Sequence, residues 1–472
     1  MRYTIILLAL FTLSSCSDWV EGLNENPNSP TTANYPQILT GAQVGNAILQ
    51  NGEAARKAGI FCGYYTGIDR QHEGFSQYAV TTSDFNNQWN SVYVDAVANT
   101  LAAEAAAMEA GVGGVTLGIS EVIRAGALGT AASLWGSIPF DDAGRPDVEN
   151  PSYEDQITVY NKVQSLLDEA IGHLESGEGR PESSSDVHFD GNPGPWVEVA
   201  HSLKARFYMH TKEYANALQE AQLGISSPGN NWAMPHGNAL ENSNLNYQFF
   251  AIASRQADLI TSDFMVSLVD PDAGTNPIFE NYRGNAKTDE AARYNYLFRS
   301  TSVGFQPNTI DGFAAQEAPG NFMTYAENLL ILAEASYRVN GFDAGLEALN
   351  TFRAYMAGGG YLSNADPSTL TYDAYEAADF EAGGIENGDG ISREDALLRE
   401  ILEERYITLF GSIEGFNDTR RTLNETQVRV PVQPNRGDDL PQRFLYPQSE
   451  IDRNTNTPNP IPDFFDPTAV NQ

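Results

Sequence analysis

The chain is short of cations and of thiols. Five lysines and 22 arginines face 62 Asp and Glu residues across 472 positions, a formal charge of −35. No basic stripe exists, so nucleic acid would be repelled. The same argument disfavours sulfated or uronic polyanions unless a cation bridges them, and a neutral partner is the expectation. Two cysteines exclude a disulfide framework, and they have no zinc-ligand spacing. Long apolar runs are missing as well: none approaches the roughly eighteen residues that a membrane-spanning helix needs. Catalytic motifs are equally scarce. Gly113-Gly114-Val115-Thr116-Leu117-Gly118 has no Lys for a phosphate loop. His72-Glu73 is not followed by a second His at zincin spacing, there is no G-x-S-x-G elbow, and the six His are dispersed. Glycoside hydrolysis needs only two carboxylates brought together by folding, and an acidic sequence leaves that open.

What the chain does have is enough apolar material for a core, 41% hydrophobic and 11% aromatic, which excludes wholesale disorder. Its first segment reads as a targeting signal. Arg2 precedes the apolar stretch 5–13, too short to span a bilayer, and Leu13-Ser14-Ser15-Cys16 has the form of a lipobox. On this reading residues 1–15 are a signal peptide, and Cys16 carries the lipid that anchors the protein. An ordinary secretory signal with an incidental Cys is the alternative. Residues 16–40 then form a polar Asn/Pro/Ser-rich tether, and 41–472 a single domain. Cys62, left without a partner, is expected as a buried apolar thiol rather than a nucleophile served by His72.

The body reads as all-α, with minor β. Segments 47–65 and 92–110 are Ala-rich with apolar residues three and four apart, and 119–134 and 156–174 continue the pattern. Two later stretches resemble each other at an offset of 128, so that Leu203 meets Ile331, Ala205 meets Ala333, Tyr214 meets Phe342 and Ala217 meets Gly345. Small residues at these places let antiparallel helices approach closely, the logic of tetratricopeptide-like (TPR-like) hairpins. Two unrelated amphipathic hairpins would also fit. A last helix begins at Ser392, with Asp395 completing a capping-box pattern.

Long stretches rich in Gly, Asn and aromatics interrupt the helices at 63–88, 226–247, 270–310 and 358–390. Loops of this length are usually functional. Sugars offer flat C–H faces ringed by hydroxyls, so they call for aromatic platforms beside amides and carboxylates. The candidates on that ground are Tyr64, Tyr65, Arg70, Phe75 and Tyr78 in the first loop. In the second they are Asn230, Asn231, Trp232 and Tyr247, with Trp232 foremost. Asp379, Glu381, Glu386, Asn387 and Asp389 could hold a structural calcium, or could form a solvated turn before the Ser392 cap; no cofactor is required.

Near the C-terminus, Glu403 to Thr422 reads EERYITLFGSIEGFNDTRRT and Pro441 to Ile451 reads PQRFLYPQSEI. Together with the lipobox and the interrupted hairpins, these motifs resemble the SusD/RagB-like outer-membrane nutrient-binding lipoproteins, in the branch described as starch-binding and associated with the outer membrane. The resemblance implies a surface lipoprotein that captures glycans, or sometimes peptides. It also implies a lid over a SusC-like TonB-dependent transporter barrel, with no catalysis of its own. A lipid-anchored glycoside hydrolase and a helical scaffold for other envelope proteins are the competing readings. Glu404, Arg405, Arg420 and Arg421 read as an ion-paired brace for the last helix rather than as ligand contacts. Trp89, Tyr93 and the segment Trp135 to Phe140 read as core packing.

Overall fold

The computed structural model describes residues 34–145, 147–251, 254–272 and 282–472. The expected signal segment 1–15, the lipidation residue Cys16 and the first part of the tether lie outside them. Helix α1 (Tyr35–Asn51) starts earlier than the sequence reading, because Asn34 accepts a hydrogen bond from the Gln37 N–H and Pro36 pre-sets the first turn. The last residues assigned to the tether, 35–40, are therefore helical. The expected helix 47–65 is two helices. Gly52 breaks it with φ −90° and ψ −140°, and a Cβ there would meet the Ile48 carbonyl at 2.2 Å. Helix α2 (Glu53–Phe61) follows, and Tyr65 belongs to a strand.

Downstream, a π-helical section (Ser91–Ala98) runs into α3 (Asn99–Glu109), followed by α4 (Val115–Trp135) and α5 (Gln156–Glu175). Hairpin α6 (Pro193–His210) with α7 (Tyr214–Ala221) comes next. The short α8 (Leu245–Ala251) precedes a second hairpin, α9 (Tyr325–Asn340) with α10 (Phe342–Ala357). Helices α11 (Arg393–Thr408) and α12 (Glu414–Arg421) follow, and a short helix, α13 (Gln448–Arg453), comes after them. The two hairpins pack on each other through α7 and α9. At the matched positions Ala205, Ala217 and Ala333 are fully buried, and a Cβ on Gly345 would come within 2.6 Å of Tyr337. The small residues are therefore where close helix approach requires them.

The long insertions are not irregular throughout. Short antiparallel pairs hold three of them and one further connection: β1 (Tyr65–Gly67) with β5 (Leu259–Thr261), β2 (Ile138–Pro139) with β3 (Tyr153–Glu154), β4 (Trp232–Met234) with β8 (Gly320–Met323), and β6 (Phe298–Thr301) with β7 (Gly304–Pro307). Tyr65 faces Thr261, and Trp232 faces Met323. Each pair is too small to stand alone and relies on the helices beneath it. Cys62 is buried, as expected, and burial pushes its thiol pKa up.

The C-terminal motifs are structural. Trp89 packs on Tyr93 at 4.6 Å with the rings tilted by 42°, and meets Trp135 edge-on at 5.2 Å. Trp135 Nε1 donates to the Leu445 carbonyl at 2.9 Å, the Phe444 N–H donates to Leu134 at 2.8 Å, and Tyr446 reaches the Ser137 carbonyl at 2.7 Å. The segment 441–451 is thus fastened across the C-terminal end of α4.

The brace exists, but with a different wiring. Glu404 pairs with Arg283 at 2.6 Å and Arg293 at 3.0 Å, not with its neighbours in the motif. Arg421 grips Glu334 through both terminal nitrogens, at 2.6 and 2.5 Å, and Asp418 at 2.6 Å. Arg405 adds a 2.9 Å contact to Asp418. Arg420 instead donates to the carbonyls of Ser133 and Gln442 while lying 4.0 Å over Phe416. Burial without a carboxylate contact pulls its pKa down to about 10.

Burial alone would raise the Glu334 pKa, but Arg421, with Arg338 and Arg405, holds it at about 2. A depressed carboxylate contributes stability above its unfolded pKa and loses it as the pH falls toward the folded value. The stability gap between wild type and Glu334→Gln should therefore be widest above pH ~5 and shrink by about 3 kcal/mol toward pH ~2. Urea melts at a series of pH values measure it. A gap independent of pH would show that Glu334 is not held ionised by its arginines.

Candidate functional site

Two clefts flank α8, whose N-terminus is set by the Asn244 side chain accepting from the N–H groups of Asn246 and Tyr247. That cap turns Asn244 and Asn246 toward one cleft and Leu245, Gln248 and Phe249 toward the other. The first is narrow, about 80 Å³, and is walled by amides including Asn51, Asn231 and Asn321 and by Tyr296, Tyr355 and Tyr361. Asn51 donates to the Asn321 carbonyl at 3.0 Å and Asn231 accepts from the Tyr325 N–H at 2.7 Å. This space suits a few ordered waters rather than a sugar ring.

The second cleft is open and larger, about 410 Å³, at the junction of α1 and α2. The Arg56 guanidinium lies 4.5 Å over the Phe249 ring, and His72 meets the same ring edge-on at 5.2 Å. Burial, with Arg56 nearby, lowers the His72 pKa to about 4, so this imidazole is neutral at physiological pH. Glu53 binds Lys57 at 2.9 Å; burial would raise its pKa, but Lys57, with Arg56 nearby, outweighs that and lowers it. Behind the wall, Lys57 sits over Phe75 at 4.8 Å and donates to Gln88 at 3.2 Å. Arg255, which lines the cleft, contacts the buried Asp258 at 2.8 Å, and Arg70 reaches the same carboxylate at 3.3 Å. Exposed Asn87 and half-buried Gln248 supply amides. The arrangement is a half-buried ring edged by guanidinium and amide donors, suited to holding a polar ring compound by stacking and hydrogen bonds.

The sequence candidates fall into three groups. Arg70 shares Asp258 with Arg255 but does not itself line the wide cleft, Tyr247 lies on α8, and Asn231 lines the narrow cleft. Trp232, Tyr64, Tyr65 and Phe75 are core residues, at most 3% exposed. The expectation of Trp232 as a platform is thereby corrected. Its β4 position turns the indole inward against Phe322 at 5.1 Å and Trp196 at 5.7 Å, leaving no face for a ligand. Tyr64 is likewise spent on Tyr406, donating to its carbonyl at 2.7 Å, and Tyr65 packs on Phe410 at 5.3 Å. Tyr78 and Asn230 lie elsewhere: Tyr78 accepts from the Asn435 N–H at 2.9 Å, and Asn230 donates to Glu198 at 2.9 Å.

Sequence reasoning missed Arg56, Phe249 and Arg255. The usable signal was Arg56-Lys57, adjacent cations inside an Ala-rich helix of a cation-poor chain.

The five residues considered for calcium do not converge. Asp379 pairs with Lys287 at 2.7 Å, Asp389 with Arg399 at 2.7 Å, and Glu381 with Arg393 at 3.5 Å. Glu386 accepts from the Tyr375 hydroxyl, and Asn387 donates to the Phe380 and Ile391 carbonyls at 2.8 Å. Among the described residues no three His, Cys, Asp or Glu side chains gather where a metal ion could sit. The loop is held by separate ion pairs and backbone contacts.

Among the described residues no helix is long and apolar enough to cross a membrane. No curated protein sequence matches the chain. Solved structures do. A SusD/RagB family protein from Bacteroides thetaiotaomicron aligns at 21% identity and a TM-score of 0.65, covering 90% of this chain and 95% of that one. A chitin-binding protein aligns at 19% and 0.70, covering 93% and 100%. A SusD homologue from Bacteroides fragilis aligns at 19% and 0.64, again covering 93% and 100%. At these identities the likeness shows the shared fold. The SusD-like family model, described as starch-binding associating with outer membrane, matches residues 27–447. With the model matched over most of its length, the chain belongs to the SusD-like family of outer-membrane-associated, starch-binding proteins.

Proposed function

We propose that this protein is a non-catalytic, surface-exposed lipoprotein that captures a glycan in the wide cleft and passes it to a SusC-like TonB-dependent barrel. Acylated Cys16 would hold it at the outer membrane. The observation that carries the reading is the half-buried Phe249 ring, which shares the lining of an open cleft of about 410 Å³ with the amides of Asn87 and Gln248. Family membership supports glycan binding and outer-membrane association, and the chitin-binding neighbour is consistent with a saccharide ligand.

Among their described residues, neither of the two clefts beside α8 has the carboxylate pair that the hydrolase alternative needs. Each has one carboxylate among its described residues, Glu53 taken by Lys57 and Glu327 gripped by Arg206 at 2.6 and 2.8 Å. Glycoside hydrolysis needs a pair spaced to act across one bond.

The test is calorimetry of the full chain in detergent against a panel of oligosaccharides, followed for hours for reducing ends. Binding without release is expected, and Phe249→Ala should weaken it about tenfold, the ordinary cost of losing an aromatic contact at a binding surface. Release of reducing ends would overturn the binding-only reading. Failure of the membrane-extracted protein to co-purify with any barrel would overturn the transporter partnership.

A further inference from the structure

The wide cleft holds a cation, Arg56, whose nearest acid, Glu53, acts on it through space while its ion pair goes to Lys57. Among the described residues no carboxylate lies within ion-pair distance of Arg56. Glu53, one turn earlier on α2, is committed to Lys57 at 2.9 Å. Asp258 is fully buried and shared between Arg255, at 2.8 Å, and Arg70, which also has Asp69 at 3.8 Å. The neighbouring His72 adds no negative charge. Arg56 Nε is buried with no hydrogen-bond acceptor, and the guanidinium carbon lies 4.5 Å from the centre of the Phe249 ring. A second guanidinium, that of Arg255, lines the same cleft with its side chain 40% exposed.

A planar guanidinium held in place over a ring, unpaired and facing an open cleft, matches a carboxylate better than it matches hydroxyls. Its fork fits two carboxylate oxygens, and little side-chain freedom remains to be lost on binding. The whole-chain charge of −35 does not cancel this local preference, because salt screens charges beyond about 8 Å at physiological ionic strength. It does limit the ligand. A polyanion would run its other charges along an acidic surface, whereas an isolated acidic group would not.

We infer that the cleft selects a glycan carrying an isolated carboxylate, a uronic acid unit on an otherwise neutral chain, with Arg56 and Arg255 as its partners. The inference rests on the glycan-binding reading above and departs from the neutral ligand expected from composition by one isolated charge.

The experiment compares labelled oligosaccharides in matched pairs, each uronate-bearing molecule beside its carboxyl-reduced twin, binding to the full chain in detergent. At least one uronate member should bind about tenfold or more tightly than its twin, the span of one charge-assisted contact. Arg56→Gln should close the gap between the twins, and Arg56→Lys should restore part of it, because Lys keeps the charge without the fork. A circular-dichroism melt checks that each variant is folded. Should Arg56→Gln fail to fold, Arg255→Gln, changed on the exposed side of the cleft, should narrow the same gap. Equal binding of all twins by wild type overturns the inference and leaves the glycan reading standing, as does a gap that folded Arg56→Gln retains. Binding of neither form overturns the glycan reading itself.

Discussion

Arg421→Ala is expected to destabilise the protein by about 3–5 kcal/mol, the usual cost of removing one partner from a buried ion pair. The reason lies in what remains. Arg421, Glu334 and Asp418 are buried, and Arg421 makes three contacts of 2.6 Å or less to the two carboxylates. Alanine leaves Glu334 to Arg338 at 3.2 Å and Arg405 at 3.5 Å, and leaves Asp418 to Arg405. Two acids are then under-neutralised in a low-dielectric interior. Denaturant melts at neutral pH measure the loss. Because Glu334 lies on α9 and Arg421 on α12, the pair ties the second hairpin to α12. A double cycle with Glu334→Gln should show strong coupling, since each single change strands the other charge. An Arg421→Ala midpoint within about 0.5 kcal/mol of wild type would mean the brace is not formed in solution.

Trp232→Ala should cost a comparable amount, about 3–5 kcal/mol, as a large-to-small change in a packed core. The indole is 1% exposed and sits among His188, Trp196 and Phe322, with Gly126 of α4 closing over it; a Cβ on that glycine would lie 3.2 Å from the ring. The prediction separates stability from binding. Trp232→Phe keeps much of the volume, so it should fold with a smaller loss and bind oligosaccharide with wild-type affinity. Phe249→Ala should do the opposite, with a modest change in melting and a clear loss of affinity. A folded Trp232→Phe that loses glycan affinity would return the tryptophan to the binding surface.

These paired expectations mark where a linear reading reaches its limit. The periodic apolar positions of 119–134 and 156–174 led to α4 and α5 with small boundary errors, because burial of one helix face leaves its spacing in the sequence. The hairpins were legible for the same reason, through small residues at Ala217 and Gly345. The break at Gly52 was not, since an Ala-rich flank on each side hides a single backbone turn. The motif arginines were recognised as structural, yet their partners were not. Glu404 meets Arg283 and Arg293, and Arg421 meets Glu334, across separations that no local pattern records.

The sequence by itself determined the class: a helical body of paired hairpins, an acidic surface, aromatic insertions, and C-terminal motifs that lock the last helices in place. Periodicity, charge and motif order are properties of the chain read in line, and they survive without coordinates. Only the tertiary structure decided which aromatic is available to a ligand. Trp232 and Phe249 are both aromatics in or beside one insertion, and strand pairing of β4 with β8 sends the first inward, while α8 sets the second on a cleft wall. The tertiary structure likewise decided which charge is left over. Whether Arg56 is paired depends on Lys57 taking Glu53 and on Arg70 and Arg255 sharing Asp258, which is a matter of distance in space. Coulomb attraction and close packing act over a few ångströms, and sequence position does not encode that proximity.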